Sequence, residues 1–293
     1  MNTPLLPRAE IGIVGLDDVI GGGLARNRLH LLEGSPGTGK TTIALQFLMA
    51  GAKVGEVGIY VSLAETEQEL RDGALSHGWV LAPPIAIFEL VPPESVLDAD
   101  QHQSLLYSSD LELGEAIQRI LAAIERFKPK RVVIDSLSEI RLLAQSSLRY
   151  RRQILALKHY FARHQSTVQA AMPEEQFLIL HLHEILQYLN RQGVATFLTV
   201  AQQGMIGDMK QSIDLTYLAD NVVLLRFFEA AGRIRRAVSV VKKRTGSHEN
   251  AIREFHVDRR GIAVGPSLER FQGVLRGVPT YIGPRSPLME ASD

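Results

Sequence analysis

The chain has 293 residues, 45% hydrophobic and 22% charged, enough to bury about 70–75% of its unfolded surface around one large core or two small ones. Its 32 basic and 32 acidic side chains cancel, so no global charge draws it to nucleic acid or to an anionic membrane, and such binding would need a local patch. The absence of cysteine excludes disulfide bridges and thiolate metal sites.

The opening MNTPLLPRAE lacks a basic end followed by an apolar stretch, and the longest apolar run falls short of the ~18–20 residues of a membrane helix. A cytoplasmic protein without membrane contact is expected. RLHLLEG (Arg28 to Gly34) predicts a strand, and KTTIALQFLMAGAK the helix after it. VGIYVSL (Val57 to Leu63) is the next strand. Thr66, followed three residues on by Glu69, has the form of a capping box, so a helix begins there. VPPESVLDADQHQSLLYSSD reads as irregular. From Gly114, GEAIQRILAAIERF sets Ile117, Ile120, Leu121, Ile124 and Phe127 on one helical face, leading to KPKRVVIDS, a β-branched run that ends in an acid. Two helical patterns follow, LRYRRQILALKHYFARH and EEQFLILHLHEILQYLNRQ, and then the apolar strand VATFLTV, which runs up to Gln202 and Gln203. GMIGDMKQSIDLTY is again irregular. After Asp220 the texture changes: NVVLLRFFEAAGRIRRAVSVVKKR predicts two strands about a Gly turn, and REFHVDRRGIAV a second hairpin.

Apolar runs alternating with helices predict an α/β fold, a mainly parallel sheet flanked by helices, with antiparallel strands added at the C-terminal side. One domain over residues 1–272 is expected, followed by a flexible tail, residues 273–293, rich in Gly, Pro and Ser.

Gly34-Ser35-Pro36-Gly37-Thr38-Gly39-Lys40-Thr41, with Thr42 after it, fits the phosphate-loop pattern G-x-x-x-x-G-K-[ST]. A turn between strand and helix aims successive backbone N–H groups inward, and glycine is needed where that backbone wraps closely around phosphate oxygens. The positive end of the helix adds to the attraction. Lys40 would reach the β and γ phosphates of ATP, and the Thr41 hydroxyl would ligate Mg²⁺. Asp135, at the carboxyl end of RVVID, is the natural second Mg²⁺ partner; the alternative is an aspartate that caps the next turn.

IGIVGLDDVIGGGL, EGSPGTGKTTIALQFL, YVSLAETEQEL, RVVIDSLSEIRLL, LADNVVLL and RRAVSVVKKRTGSHENAIREFHV, in this order from about residue 10 to 266, resemble the KaiC-like branch of the RecA superfamily, which includes the cyanobacterial clock kinase. The resemblance implies a RecA-like P-loop core in a homo-oligomeric ring, usually of six, with ATP between subunits. It further implies slow Mg-dependent hydrolysis, self-phosphorylation in some members, and a regulatory role read by a protein partner. One departure matters. The family carries two adjacent glutamates just after the second strand, the first taken as the base; here these positions are Ala64 and Glu65. Alternate residues of a strand face opposite ways, so Glu65 replaces a missing neighbour only where the backbone has already turned. Its other reading is a helix-start carboxylate beside Thr66.

The resemblance also makes Lys242 and Arg244, in VKKRTG, the cations that reach a neighbouring subunit's γ-phosphate, with Lys243 alternating to the other face. It places Gln202 as a γ-phosphate sensor, and aligns Thr216 and Tyr217 with the hydroxyls that the clock kinase phosphorylates. Glu139 reads as helix-surface charge. In HLHE, His181 and His183 are two apart rather than the four that put zinc ligands on one helical face, so no metal is expected there. The basic clusters RYRR and RIRR lack interleaved aromatics and read as solvated or interface faces rather than as nucleic-acid contacts. The functions in view are an ATP-driven switch, a nucleotide-binding scaffold with little turnover, an autophosphorylating kinase, or a recombinase-like DNA-binding protein.

Overall fold

A computed structural model describes residues 8–90, 113–136, 185–201, 219–276 and 279–283. A nine-stranded sheet dominates. In chain order its strands are β3 (Leu29–Gly34), β4 (Gly58–Ser62), β5 (Ile85–Glu89), β6 (Arg131–Asp135), β7 (Ala195–Ala201), β8 (Asn221–Ala230), β9 (Arg233–Lys243), β10 (Arg253–Asp258) and β11 (Gly261–Ser267), preceded by the short pair β1 (Arg8–Ala9) and β2 (Leu24–Ala25). Across the sheet the order is β11-β10-β9-β8-β3-β7-β6-β4-β5. The six strands from β8 to β5 are mutually parallel, whereas β9, β10 and β11 add on antiparallel. This is the mainly parallel sheet with an antiparallel C-terminal side that the sequence predicts.

Both faces are covered, as a parallel sheet requires. On one face α1 (Leu16–Val19), α2 (Lys40–Lys53) and α3 (Glu67–Ser76) enclose a core containing Phe47, Leu48, Tyr60 and Phe197. On the other, α4 (Leu113–Phe127) and the helical residues 185–191 pack Ile120, Ile124, Ile185 and Leu189 against Ile59, Ile134 and Leu198. The α4 face is the one the 3.6-residue period selects: Leu121 and Phe127 lean on the same core.

Local chemistry sets the element ends. The capping box at α3 is formed, with Thr66 Oγ1 accepting from the Glu69 N–H and the Glu69 carboxylate from the Thr66 N–H. The β8–β9 turn sets Ala231 and Gly232 at φ +53° and +65°, the two left-handed residues of a primed hairpin turn. Register along β8–β9 slips between Val222 and Val223, which pair with Lys242 and Val240, leaving Val241 as an extra residue. Arg131 pins the start of β6: its guanidinium pairs with Glu56 at 2.6 Å, donates to the Phe47 carbonyl at 2.8 Å, and lies over the Phe47 ring.

Of the tail, residues 273–276 and 279–283 are described. Val274 begins a 3₁₀ turn (Val274–Arg276) and is buried in a small core with Phe228 and Ala237, while β12 (Phe271–Gln272) pairs antiparallel with β13 (Thr280–Tyr281). Apolar residues at Val274 and Tyr281 give this part of the segment something to pack, a signal that its Gly, Pro and Ser content conceals.

Candidate functional site

The site is assembled where β3 ends and α2 begins. Gly34 is the last residue of β3, and a side chain there would come within 2.8 Å of Thr38 Oγ1 and 3.0 Å of the Leu225 carbonyl. Gly39, immediately before α2, has φ +105°, a conformation that L side chains rarely adopt. Ser35 and Thr38 are buried, with Thr38 Oγ1 donating to the Ser35 carbonyl at 2.8 Å; Pro36 and Gly37 form the exposed crest. Lys40 opens the helix, and its ammonium donates back to the carbonyls of Gly34 and Ser35 at 2.8 and 3.0 Å. Burial draws the Lys40 ammonium below the usual lysine range, while Asp135 acts in the opposite sense.

Asp135 ends β6 two strands away and faces Thr41. Its carboxylate accepts from Thr41 Oγ1 at 3.3 Å, from the Tyr60 hydroxyl and from Thr199 Oγ1. Three hydroxyls on three elements thus aim one carboxylate at the start of α2. Burial and the Asp135 charge keep Tyr60 well above the usual tyrosine range, so it remains a donor.

Glu65 lies at the rim of this cluster. Strand β4 ends at Ser62, whose hydroxyl accepts from the Glu65 N–H at 3.1 Å and donates to the Glu65 carbonyl. The backbone has therefore turned before Glu65, and strand alternation does not govern where Ala64 and Glu65 point. Partial burial raises the Glu65 carboxyl above the ordinary carboxylate range, and the charges of Asp135 and Glu69 push the same way.

Lys242 and Arg244 lie elsewhere. Lys242 pairs with Val222, which pairs with Leu31, so it sits level with the middle of β3. That is three residues back from Gly34 and two strands across, about 14 Å in all, against a lysine reach of roughly 6 Å. Arg244 lies just past β9, its N–H donating to the Asp220 carbonyl at 2.8 Å. These cations are therefore not brought together with Lys40, Thr41 and Asp135 within one chain. Gln202, Glu139, Thr216, Tyr217, His181, His183 and the RYRR cluster fall outside the described residues.

Sequence reasoning missed Tyr60, Ser62 and Thr199. It also set aside RIRR, of which Arg235 pairs with Glu254 at 2.8 Å. Arg236 stacks over Phe227, with the guanidinium carbon 5.3 Å from the ring centre, and donates to the Gly37 carbonyl at 3.3 Å on the crest of the loop. The cross-strand pairing of Phe227 with Arg236 was the available signal.

Residues 9–176 match the family described as the KaiC ATPase. The chain belongs to that family. Among its KaiC relatives, the circadian clock oscillator protein KaiC of Parathermosynechococcus lividus is 29% identical over 262 residues, covering 89% of this chain and 43% of the relative. The protein of the same name from Parasynechococcus marenigrum is 30% identical over 256 residues, 87% and 44% of the two chains. The circadian clock protein KaiC3 of Synechocystis sp. is 25% identical over 275 residues, 94% and 46%. The chain thus spans less than half the length of these KaiC proteins. Membership of a KaiC ATPase family agrees with a RecA-like core and with ATP binding.

The donor set fits such a ligand. Loop amides, a helix N-terminus and Lys40 suit phosphate, and the Thr41 hydroxyl with the Asp135 carboxylate are hard oxygen donors suited to Mg²⁺. Among the described residues no cluster of three or more His, Cys, Asp or Glu is available to hold a metal. A cation here would complete its shell from phosphate oxygens and water, as Mg²⁺ in nucleotide sites does.

Proposed function

We propose that the chain binds ATP with Mg²⁺ in the loop from Gly34 to Thr42 and hydrolyses it slowly at the subunit interfaces of a homo-oligomeric ring, six-membered and cytoplasmic. In this reading a protein partner senses the state of the ring, which acts as a regulatory switch. The observation that carries it is the convergence of Lys40, Thr41 and Asp135 at one strand–helix junction, with Lys242 and Arg244 held too far away to serve the same subunit.

Each residue then has a distinct task. Loop amides and Lys40 take the phosphate oxygens, Lys40 exchanging its two carbonyl partners for them. Thr41 and Asp135 hold the cation, which neutralises charge that develops on the phosphates. Tyr60 and Thr199 fix the Asp135 carboxylate. Glu65, turned into the rim by Ser62, is the base that orients the attacking water, a task helped by a pKa raised toward neutrality. Lys242 and Arg244 act across the interface, a contribution worth ~10³–10⁵ in rate where a cation is supplied in this way. Gln202 is assigned to sensing the γ-phosphate.

A second reading, a nucleotide-binding scaffold with little turnover, is favoured by Ala64 alone. Phosphate release and direct nucleotide binding, measured for wild type and Lys40→Ala, separate the two. The ATPase reading expects release to fall by at least a hundredfold in the variant. Equal release in both would sink it, and tight binding without release would leave the scaffold.

A further inference from the structure

Lys243 is the middle cation of VKKR, and it is turned away from the two that flank it in function. It pairs with Asn221 rather than Val222, on the α1–α2 side of the sheet. Its ammonium donates to the carbonyl of Ile20, at the end of α1, and to the carbonyl of Ser247 at 2.7 Å. Two segments 227 residues apart in the chain, the glycine turn after α1 and the loop after β9, are thereby tied through one side chain.

The surroundings are shaped for that tie. Gly21 lies so close to the loop that a Cβ there would fall 2.6 Å from the Ser247 carbonyl, and its φ is +75°. Further along, the Glu249 N–H donates to the Val19 carbonyl at 2.9 Å. At the other end, Arg244 is anchored through its N–H to the Asp220 carbonyl at 2.8 Å, while Asp220 accepts from the Leu29 N–H at 3.3 Å. The loop from Arg244 to Glu249 is thus held at both ends by backbone bonds and in its middle by Lys243.

The charge itself is poorly placed for stability. Among the described residues its ammonium donates to two neutral carbonyls rather than to a carboxylate, and Arg8 is near. Burial and the Arg8 charge pull the Lys243 ammonium down to about 8. An apolar side chain of similar length would avoid that cost but would leave the Ile20 and Ser247 carbonyls without this donor. What the lysine supplies is a fixed attitude for the loop.

We propose that Lys243 is a positioning residue: by bridging Ile20 and Ser247 it holds Lys242 and Arg244 in the orientation in which they meet the nucleotide of an adjoining subunit. The inference rests on the interface role assigned to Lys242 and Arg244 above. It gives the middle residue of the basic run a task within its own chain, distinct from that of its neighbours.

The test uses the full chain as Lys243→Met, Lys243→Arg, Arg244→Ala and the double variant Lys243→Met/Arg244→Ala. Amide hydrogen exchange over residues 245–249 should accelerate about tenfold or more in Lys243→Met and return toward wild type in Lys243→Arg, which can donate to both carbonyls. ADP affinity at the Lys40 loop should be the same in wild type, Lys243→Met and Lys243→Arg. The kcat for phosphate release should fall by about ten- to a hundredfold in Lys243→Met, a loss typical of small misplacement, with no further fall when Lys243→Met is added to Arg244→Ala. Unchanged exchange in Lys243→Met, or losses that multiply in the double variant, would overturn the inference. If Arg244→Ala leaves release and assembly untouched, the interface role fails. Exchange alone then decides the clamp: faster exchange retains Lys243 as the residue that fixes the loop, and unchanged exchange removes it.

Discussion

His30 sits in the middle of the sheet with none of its surface exposed, and its Nε2 hydrogen-bonds the Ala25 carbonyl at 2.8 Å. A carbonyl accepts, so Nε2 carries the proton and Nδ1 is bare, without a hydrogen-bond partner among the described residues. Protonating Nδ1 would bury a charge, and desolvation, with smaller contributions from Lys243 and Arg28, pulls the imidazole down to about 4 from 6.5. The sign follows directly. Above pH 6.5 folded and unfolded chains are both neutral at this residue, and its cost is nil. Below 6.5 the unfolded chain binds a proton that the folded chain refuses until about pH 4, so stability falls as pH falls through that window. At about 1.4 kcal/mol per unit, the loss is about 2 kcal/mol at pH 5 and saturates at roughly 3 kcal/mol. Urea unfolding of wild type and His30→Gln, at fixed protein concentration without nucleotide, isolates this share, because carboxylate contributions are common to both. Gln retains a donor for Ala25 and does not titrate. Wild type should lose about 2 kcal/mol more than the variant between pH 7.5 and pH 5. Parallel losses would refute a buried neutral imidazole at this position.

Two further outcomes test the site and its frame. Tyr60→Phe removes one of the three hydroxyls on Asp135 without opening a cavity, and should raise the Mg²⁺ concentration needed for half-maximal nucleotide binding by about 10- to 100-fold, read by titration with a fluorescent ATP analogue. Thr66→Ala removes the hydroxyl that accepts from the Glu69 N–H, the side-chain half of the capping box at α3, and should cost about 1 kcal/mol in urea unfolding, with ADP affinity at the Lys40 loop unchanged.

What the sequence reveals and conceals divides by range of interaction. The phosphate loop, the Thr66 cap and the β8–β9 hairpin are each encoded within ten or so neighbouring residues, in spacings that local geometry requires. Tyr60 and Thr199 are different. Their meeting at Asp135 depends on β4 and β7 flanking β6, with Ser62 opposite Asp135 and Leu198 opposite Ile134, and no local pattern carries that register. The alternation argument about Glu65 met a similar limit, because β4 ends at Ser62 and the Ser62 hydroxyl holds the backbone of Glu65 in a turn. Arg236 was hidden in a basic run whose members have different partners, a distinction only the pairing with Phe227 reveals.

Strand β9 carries Arg236 at the crest of its own phosphate loop and Lys242 near its other end, six residues and roughly 20 Å later. On the interface reading above, that strand works as a rigid ruler laid between two successive nucleotides. A ring built on such rulers would have its spacing set by covalent geometry rather than by the softness of its interfaces, and a shift of one phosphate loop would be delivered along β9 to the next site. The extra residue at Val241 is the one place where the ruler bends, just before the cations at its end.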